Sequence, residues 1–164
     1  MTNEKPIKLL LVDDEVDFVK SLSERLSLRD FNVTTATDGE QAIKASKKGR
    51  FDVAILDLRM PGMNGTEVLK ILKDKHKWLE VIMLTGYGSV DAAVEATKLG
   101  AFGFLEKPYD IDKLVATLKD AYTARLKKKF EHDKKRMEDI EFLSMGASPM
   151  SILTSLRRLD DEEK

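Results

Sequence analysis

Short apolar runs alternate along this chain with longer segments whose apolar residues recur every three or four positions. Lys8 to Val12 is an apolar run ending at Asp13-Asp14, the profile of a buried strand with a polar tip. Val16, Val19, Leu22, Leu26 and Leu28 follow at close to helical spacing. Phe31 to Ala36 alternates as a half-buried strand, and Asp38 is placed to cap a helix through Ala42, Ile43 and Ala45 that stops near Gly49. Val53 to Leu56 reads as a second buried strand. Pro61-Gly62 and Asn64-Gly65 mark a loop, and Val68, Leu69, Ile71 and Leu72 give the next helix its apolar face.

The alternation continues through a strand at Val81 to Leu84 that ends in Thr85-Gly86. A helix follows on Val90, Ala93, Val94 and Leu99, closing at Gly100. Gly103 to Leu105 is a short strand leading to Glu106-Lys107-Pro108, and Ile111, Leu114, Val115 and Leu118 open a last helix. Five strand–helix units in strict alternation imply a parallel sheet covered on both faces. Helical spacing then persists at Leu126, Phe130, Met137 and Ile140 through a charged stretch. Residues 125 to 139 carry seven Lys/Arg and four acids. Gly146 interrupts it. Ser148-Pro149 has the form of a helix start, Ile152, Leu153, Leu156 and Leu159 make a short amphipathic segment, and Asp160 to Glu163 form an acidic end.

Composition narrows the chemistry. The 164 residues, 42% hydrophobic, fit one core with an appendage, and a net charge of -1 is no footprint for nucleic acid. With no cysteine and only His76 and His132, thiol chemistry and a His-based metal site are not expected. The first apolar run is too short for a signal peptide and no stretch spans a membrane, so a cytoplasmic protein with no membrane partner is expected.

In a parallel α/β sheet, functional groups gather beyond the carboxyl ends of the strands. The strands deliver Asp13 and Asp14, Asp57, Thr85 and Lys107 there. Each residue alone also reads as a turn, a cap or solvated surface. Together, three carboxylates repel one another, and a hard cation held by oxygen relieves them, which points to Mg²⁺. A carboxylate can then act as nucleophile toward phosphorus while the cation and a lysine neutralise the transferring group.

VDDE, LDLRMPGMNG, LTGYG and LEKP, in that order and spacing, resemble the response-regulator receiver domain of two-component signalling over about residues 6–122. The resemblance implies a flavodoxin-like (βα)5 doubly wound sheet of strand order 2-1-3-4-5, with the C-terminal helical extension appended. It makes Asp57 the phosphoacceptor, loaded from a phosphohistidine on a sensor histidine kinase, so that the domain catalyses its own phosphorylation and dephosphorylation. It assigns Asp14, Asp57 and the Arg59 backbone carbonyl to Mg²⁺, with Asp13 holding the ion partly through water. Lys107 would contact the phosphoryl group, with a cis Lys107-Pro108 bond, and Thr85 would turn toward it on activation. The switch aromatic falls at Phe104, where tyrosine is also common. Lacking a hydroxyl, Phe104 would switch by packing alone. Arg59 and Tyr87 flank the site and are expected to shield the acyl phosphate from water.

Two other classes fit less well. A haloacid-dehalogenase-like phosphatase needs a second Asp two positions after the first, where Arg59 stands. Nucleotide binding through Gly86-x-Gly88 lacks a third glycine. The expected organisation is a receiver over 1–122, an extended charged helix over 123–146 and a short amphipathic helix with acidic terminus over 147–164. Too few residues follow Gly146 for a helix-turn-helix unit, so output is expected through the tail. The tail could dimerise as a coiled coil, with exposed pairs Lys127/Glu131, Glu131/Lys135, Lys134/Glu138 and Lys135/Asp139, although Arg125 and Asp133 break its seam. It could instead dock an unknown downstream protein, or fold back on the receiver. The alternative function is a phosphorelay intermediate or phosphate sink with a purely structural tail.

Overall fold

The alternate side chains of each central strand go to opposite faces, and each face is apolar. In the computed structural model, which describes residues 5–86, 88–144 and 157, β1 (Ile7–Val12) sends Leu9 and Leu11 to one core and Leu10 and Val12 to the other. β3 (Val53–Leu56) divides Val53 and Ile55 from Ala54 and Leu56, and β4 (Glu80–Thr85) divides Ile82 and Leu84 from Val81 and Met83. This period of two, apolar on both sides, demands helices above and below the sheet. Each fully buried Leu or Ile contributes about 1.5–3 kcal/mol.

β2 (Phe31–Ala36) and β5 (Gly103–Glu106) close the edges, giving five parallel strands in the order 2-1-3-4-5, the flavodoxin-like arrangement. α1 (Val16–Ser27) and α5 (Ile111–Ser144) cover one face, through Val19, Leu22 and Leu26 and through Leu114, Val115 and Leu118. α2 (Gly39–Lys48), α3 (Gly65–Lys75) and α4 (Val90–Lys98) cover the other through Ala42, Val68, Leu69, Leu72 and Ala96. The side chains of Asp38, Asn64 and Ser89 accept from the backbone N–H groups of Gln41, Glu67 and Ala92, satisfying donors that the first helical turns leave open.

Helical spacing overstates burial at four positions in or beside α1 and α4. Val16 and Leu28 bracket α1 and are exposed, because one lies at its first residue and the other just past its end. Val90 and Val94 on α4 are exposed as well. α5 runs unbroken from the carboxyl edge of the sheet past Tyr122 to Ser144, 34 residues. Among the described residues, no helix is long and apolar enough to cross a membrane. Tyr87, Gly146 and, except for Arg157, the Ser148 to Glu163 segment lie outside the described residues.

Candidate functional site

β1 and β3 lie side by side, with Val12 opposite Leu56, so Asp13 and Asp57 leave the sheet at the same edge. Their backbones are fixed there: Asp13 donates its N–H to the Ala36 carbonyl and Asp57 to the Val12 carbonyl. On the next strands, the Lys107 N–H bonds the Thr85 carbonyl, which places that pair at the same level. All five sequence-derived residues, Asp13, Asp14, Asp57, Thr85 and Lys107, therefore meet at one edge. The Lys107-Pro108 bond is cis.

Oxygen atoms of Asp13, Asp14 and Asp57 come within 4.8 Å of one another. Asp13, Asp57 and Thr85 are buried, at 1%, 3% and 0% exposure. A cleft of about 420 Å³ gives access from solvent and is walled by Asp14, Glu15, Asp57, Arg59, Met60 and Pro61. Asp57 Oδ1 is buried with no hydrogen-bond partner among the described residues. An all-oxygen set with an unsatisfied buried acceptor suits a hard divalent cation, so these residues fit Mg²⁺.

Lys107 Nζ donates to Asp13 Oδ2 at 2.6 Å and lies 3.5 Å from Glu15 Oε1 and 4.0 Å from Asp57 Oδ2. Its ammonium also rests over the Phe18 ring, 4.1 Å from the centroid, and Phe18 packs edge-on against Tyr109. Burial pushes the Asp57 carboxyl above its ordinary range, opposed by the Thr85 hydroxyl, the Lys107 charge and the N–H groups of Arg59 and Leu58. Burial likewise raises Asp13, against its bond from Lys107 and the Glu15 N–H. For Lys107 burial pulls downward, and the Asp13 bond with the charges of Asp13, Asp57 and Glu15 outweighs it, for a net rise.

Phe104 lies in the fifth strand, half-buried against the α2–α4 side of the core. Arg59 is exposed at the cleft rim. Three contributors escaped the sequence reading. Glu15 belongs to VDDE, and its N–H fixes Asp13. Phe18 carries no polar signal. Gly65 sits where a side chain would run into the Asp57 carbonyl and Leu58 Cα.

The model of the response regulator receiver domain matches residues 9–119. The transcriptional regulatory protein GlrR of Escherichia coli K12 is 38% identical over 119 residues, 73% of this chain but 27% of that protein. The chain thus spans about a quarter of that relative's length. Among solved structures, NtrX from Brucella abortus superposes with a TM-score of 0.74 at 30% identity, covering 80% of this chain and 29% of that one. The CheY chain of a CheX–CheY–BeF3–Mg²⁺ complex from Borrelia burgdorferi gives 0.68 at 32% identity, covering 71% and 90%. Fold, edge chemistry and relatives agree: over residues 9–119 this chain belongs to the response regulator receiver family.

Proposed function

We propose that Asp57 accepts a phosphoryl group from a phosphohistidine of a sensor histidine kinase. The observation that carries this reading is the Asp57 carboxylate itself: buried, one oxygen without a partner among the described residues, and set among Asp13, Asp14, Thr85 and Lys107. In the transfer an Asp57 oxygen forms a bond to phosphorus as the P–N bond breaks. The electron pair leaves with the imidazole, which takes up a proton. Lys107 supplies positive charge beside the transferring group and Thr85 offers its hydroxyl. Asp13, Asp14, Asp57 and the Arg59 carbonyl would hold Mg²⁺, which supplies further charge neutralisation when bound. A receiver relative whose structure is described with BeF3 and Mg²⁺ supports that assignment.

Incubation with acetyl phosphate and Mg²⁺, followed by intact-mass measurement, tests the proposal. Wild type gains one phosphoryl group and Asp57→Asn gains none. A gain that persists in Asp57→Asn refutes it.

For output, we propose that the chain signals by association through the distal part of α5. Leu126, Phe130 and Met137 follow one stripe of the helix and are 45%, 69% and 65% exposed, an apolar face unusual on a charged helix. A homodimer or a partner protein would cover it. The alternative, a relay or phosphate sink, needs no such stripe. Light scattering after size exclusion separates them: Phe130→Lys with Met137→Lys abolishes association in the first case and leaves mass and phosphoryl transfer alike in the second.

A further inference from the structure

At the sheet edge opposite Asp57, a second cleft of about 490 Å³ opens between the amino ends of the third and fourth strands and the flank of α5. Among the described residues seven Lys and Arg line it and no carboxylate does. Part of this has a local cause. Lys47, Lys48 and Lys75 sit in the last turns of α2 and α3, where cations complement the helix dipole. Arg50 and Lys77 come from loops, and Arg125 and Lys129 from the side of α5, where no helix end asks for a cation. Arg125 has a counter-ion, Asp52, at 3.5 Å. Among the described residues Lys47, Arg50, Lys75 and Lys129 make no ion pair. Like charges gathered in a concave surface repel and focus a positive field, and a multivalent anion relieves both.

We propose that this cleft binds compact polyphosphates, the class that includes inorganic tripolyphosphate and nucleoside triphosphates. Its volume falls in the range of small-ligand sites, about 300–1,000 Å³. A long polyanion fits the surroundings less well, since Glu131, Asp133, Glu138 and Asp139 interrupt the basic residues of α5 beyond Lys129. In the lining, the Arg50 guanidinium, with no ion pair among the described residues, offers the planar fork suited to phosphate oxygens. A base would not be read. The Trp78 ring already has the Lys77 ammonium 5.1 Å from its centroid and the His132 ring at 5.0 Å. The phosphate chain alone is recognised.

Trp78 is the chain's single tryptophan and lines the cleft, so its fluorescence reports occupancy. The whole chain is titrated with tripolyphosphate and with ATP in EDTA, which keeps divalent ions from the acidic edge, and with NaCl at matched ionic strength. Both phosphates give a saturable change with similar midpoints, and NaCl gives none. Lys48→Glu with Arg50→Glu weakens binding by roughly tenfold or more, the neutral pair Lys48→Gln with Arg50→Gln weakens it less, and Lys20→Glu on α1 leaves it unchanged. Circular dichroism checks that each variant is folded. Asp57→Asn binds as wild type does, so the result stands apart from phosphoryl transfer. A response matched by NaCl, one indifferent to both double variants, one to ATP without tripolyphosphate, or one to duplex DNA alone overturns the proposal.

Discussion

Lys107 donates to Asp13 Oδ2 at 2.6 Å, and that bond decides how much of the lysine's charge reaches Asp57. Asp57 Oδ2 is left at 4.0 Å, near enough for Coulomb attraction but too far for a hydrogen bond. The Asp13 side chain is 2% exposed and that of Lys107 14%, so removing the cation strands a buried carboxylate. Lys107→Met should lower stability by about 3 kcal/mol. Asp57→Asn, which removes a charge that burial disfavours, should raise the urea midpoint in metal-free buffer. Equilibrium urea unfolding reads both, and the reverse order of the two midpoints contradicts this account of the edge.

Gly65 opens α3 directly under the loop that follows Asp57, donating its N–H to the Leu58 carbonyl at 2.8 Å. A Cβ there would collide with the Asp57 carbonyl oxygen and lie 2.8 Å from Leu58 Cα. Both neighbours are backbone, which cannot rotate aside. Gly65→Ala should cost about 3 kcal/mol, as overpacking does, and slow acetyl-phosphate labelling of whatever remains folded. Gly49, where the same addition meets nothing, provides the control. Equal losses in Gly65→Ala and Gly49→Ala would defeat the close-approach argument.

α5 is fastened to the amino edge of the sheet well beyond Tyr122. Arg125 reaches Asp52 at 3.5 Å, Lys128 reaches Glu80 at 2.8 Å, and His132 packs against Trp78. Glu80 is 2% exposed, so its partner is not a spare surface charge. Lys128→Met should destabilise by about 1–2 kcal/mol, less than a fully buried pair because Lys128 itself is half exposed. A chain ending after residue 124 should have a lower melting temperature than one ending after 136. Identical melting curves for the two truncations would mean that these contacts contribute nothing.

Burial, with Lys75 beside it, holds the His76 imidazole below its ordinary range. The unfolded chain therefore takes up this proton first. The fold is undisturbed by His76 above about pH 6.5 and loses stability progressively as pH falls below that value. Asp13 and Asp57, whose carboxyls are raised, contribute with the opposite sign, so the difference between wild type and His76→Gln is the quantity to read. That difference should grow on acidification. A flat difference curve in pH-dependent urea unfolding removes His76 from the account.

What could be read in the sequence was local or periodic. Leu9 to Val12 and Val53 to Leu56 show their burial in four consecutive apolar letters, and Asp57 stands out because a charge ends such a run. The edge residues could be gathered because parallel strands share one carboxyl end. Contacts between distant segments left no such trace. Arg125 reads as a flaw in a heptad seam, yet it turns toward Asp52. Glu80 stands one position before the apolar run Val81 to Leu84, yet it begins a buried strand and takes Lys128. Among the described residues, the pairs Lys127/Glu131, Glu131/Lys135, Lys134/Glu138 and Lys135/Asp139 do not form. Exposed pairs gain only a few tenths of a kcal/mol, too little to hold two long side chains together.

The 34 residues of α5 make a rod about 51 Å long. Its first turn, capped by Asp110, follows Lys107 by four residues, and its middle is bolted to the far edge of the sheet at Asp52 and Glu80. One unbroken helix therefore joins the Lys107 edge of the sheet to Met137 and Phe142, which are 65% and 77% exposed.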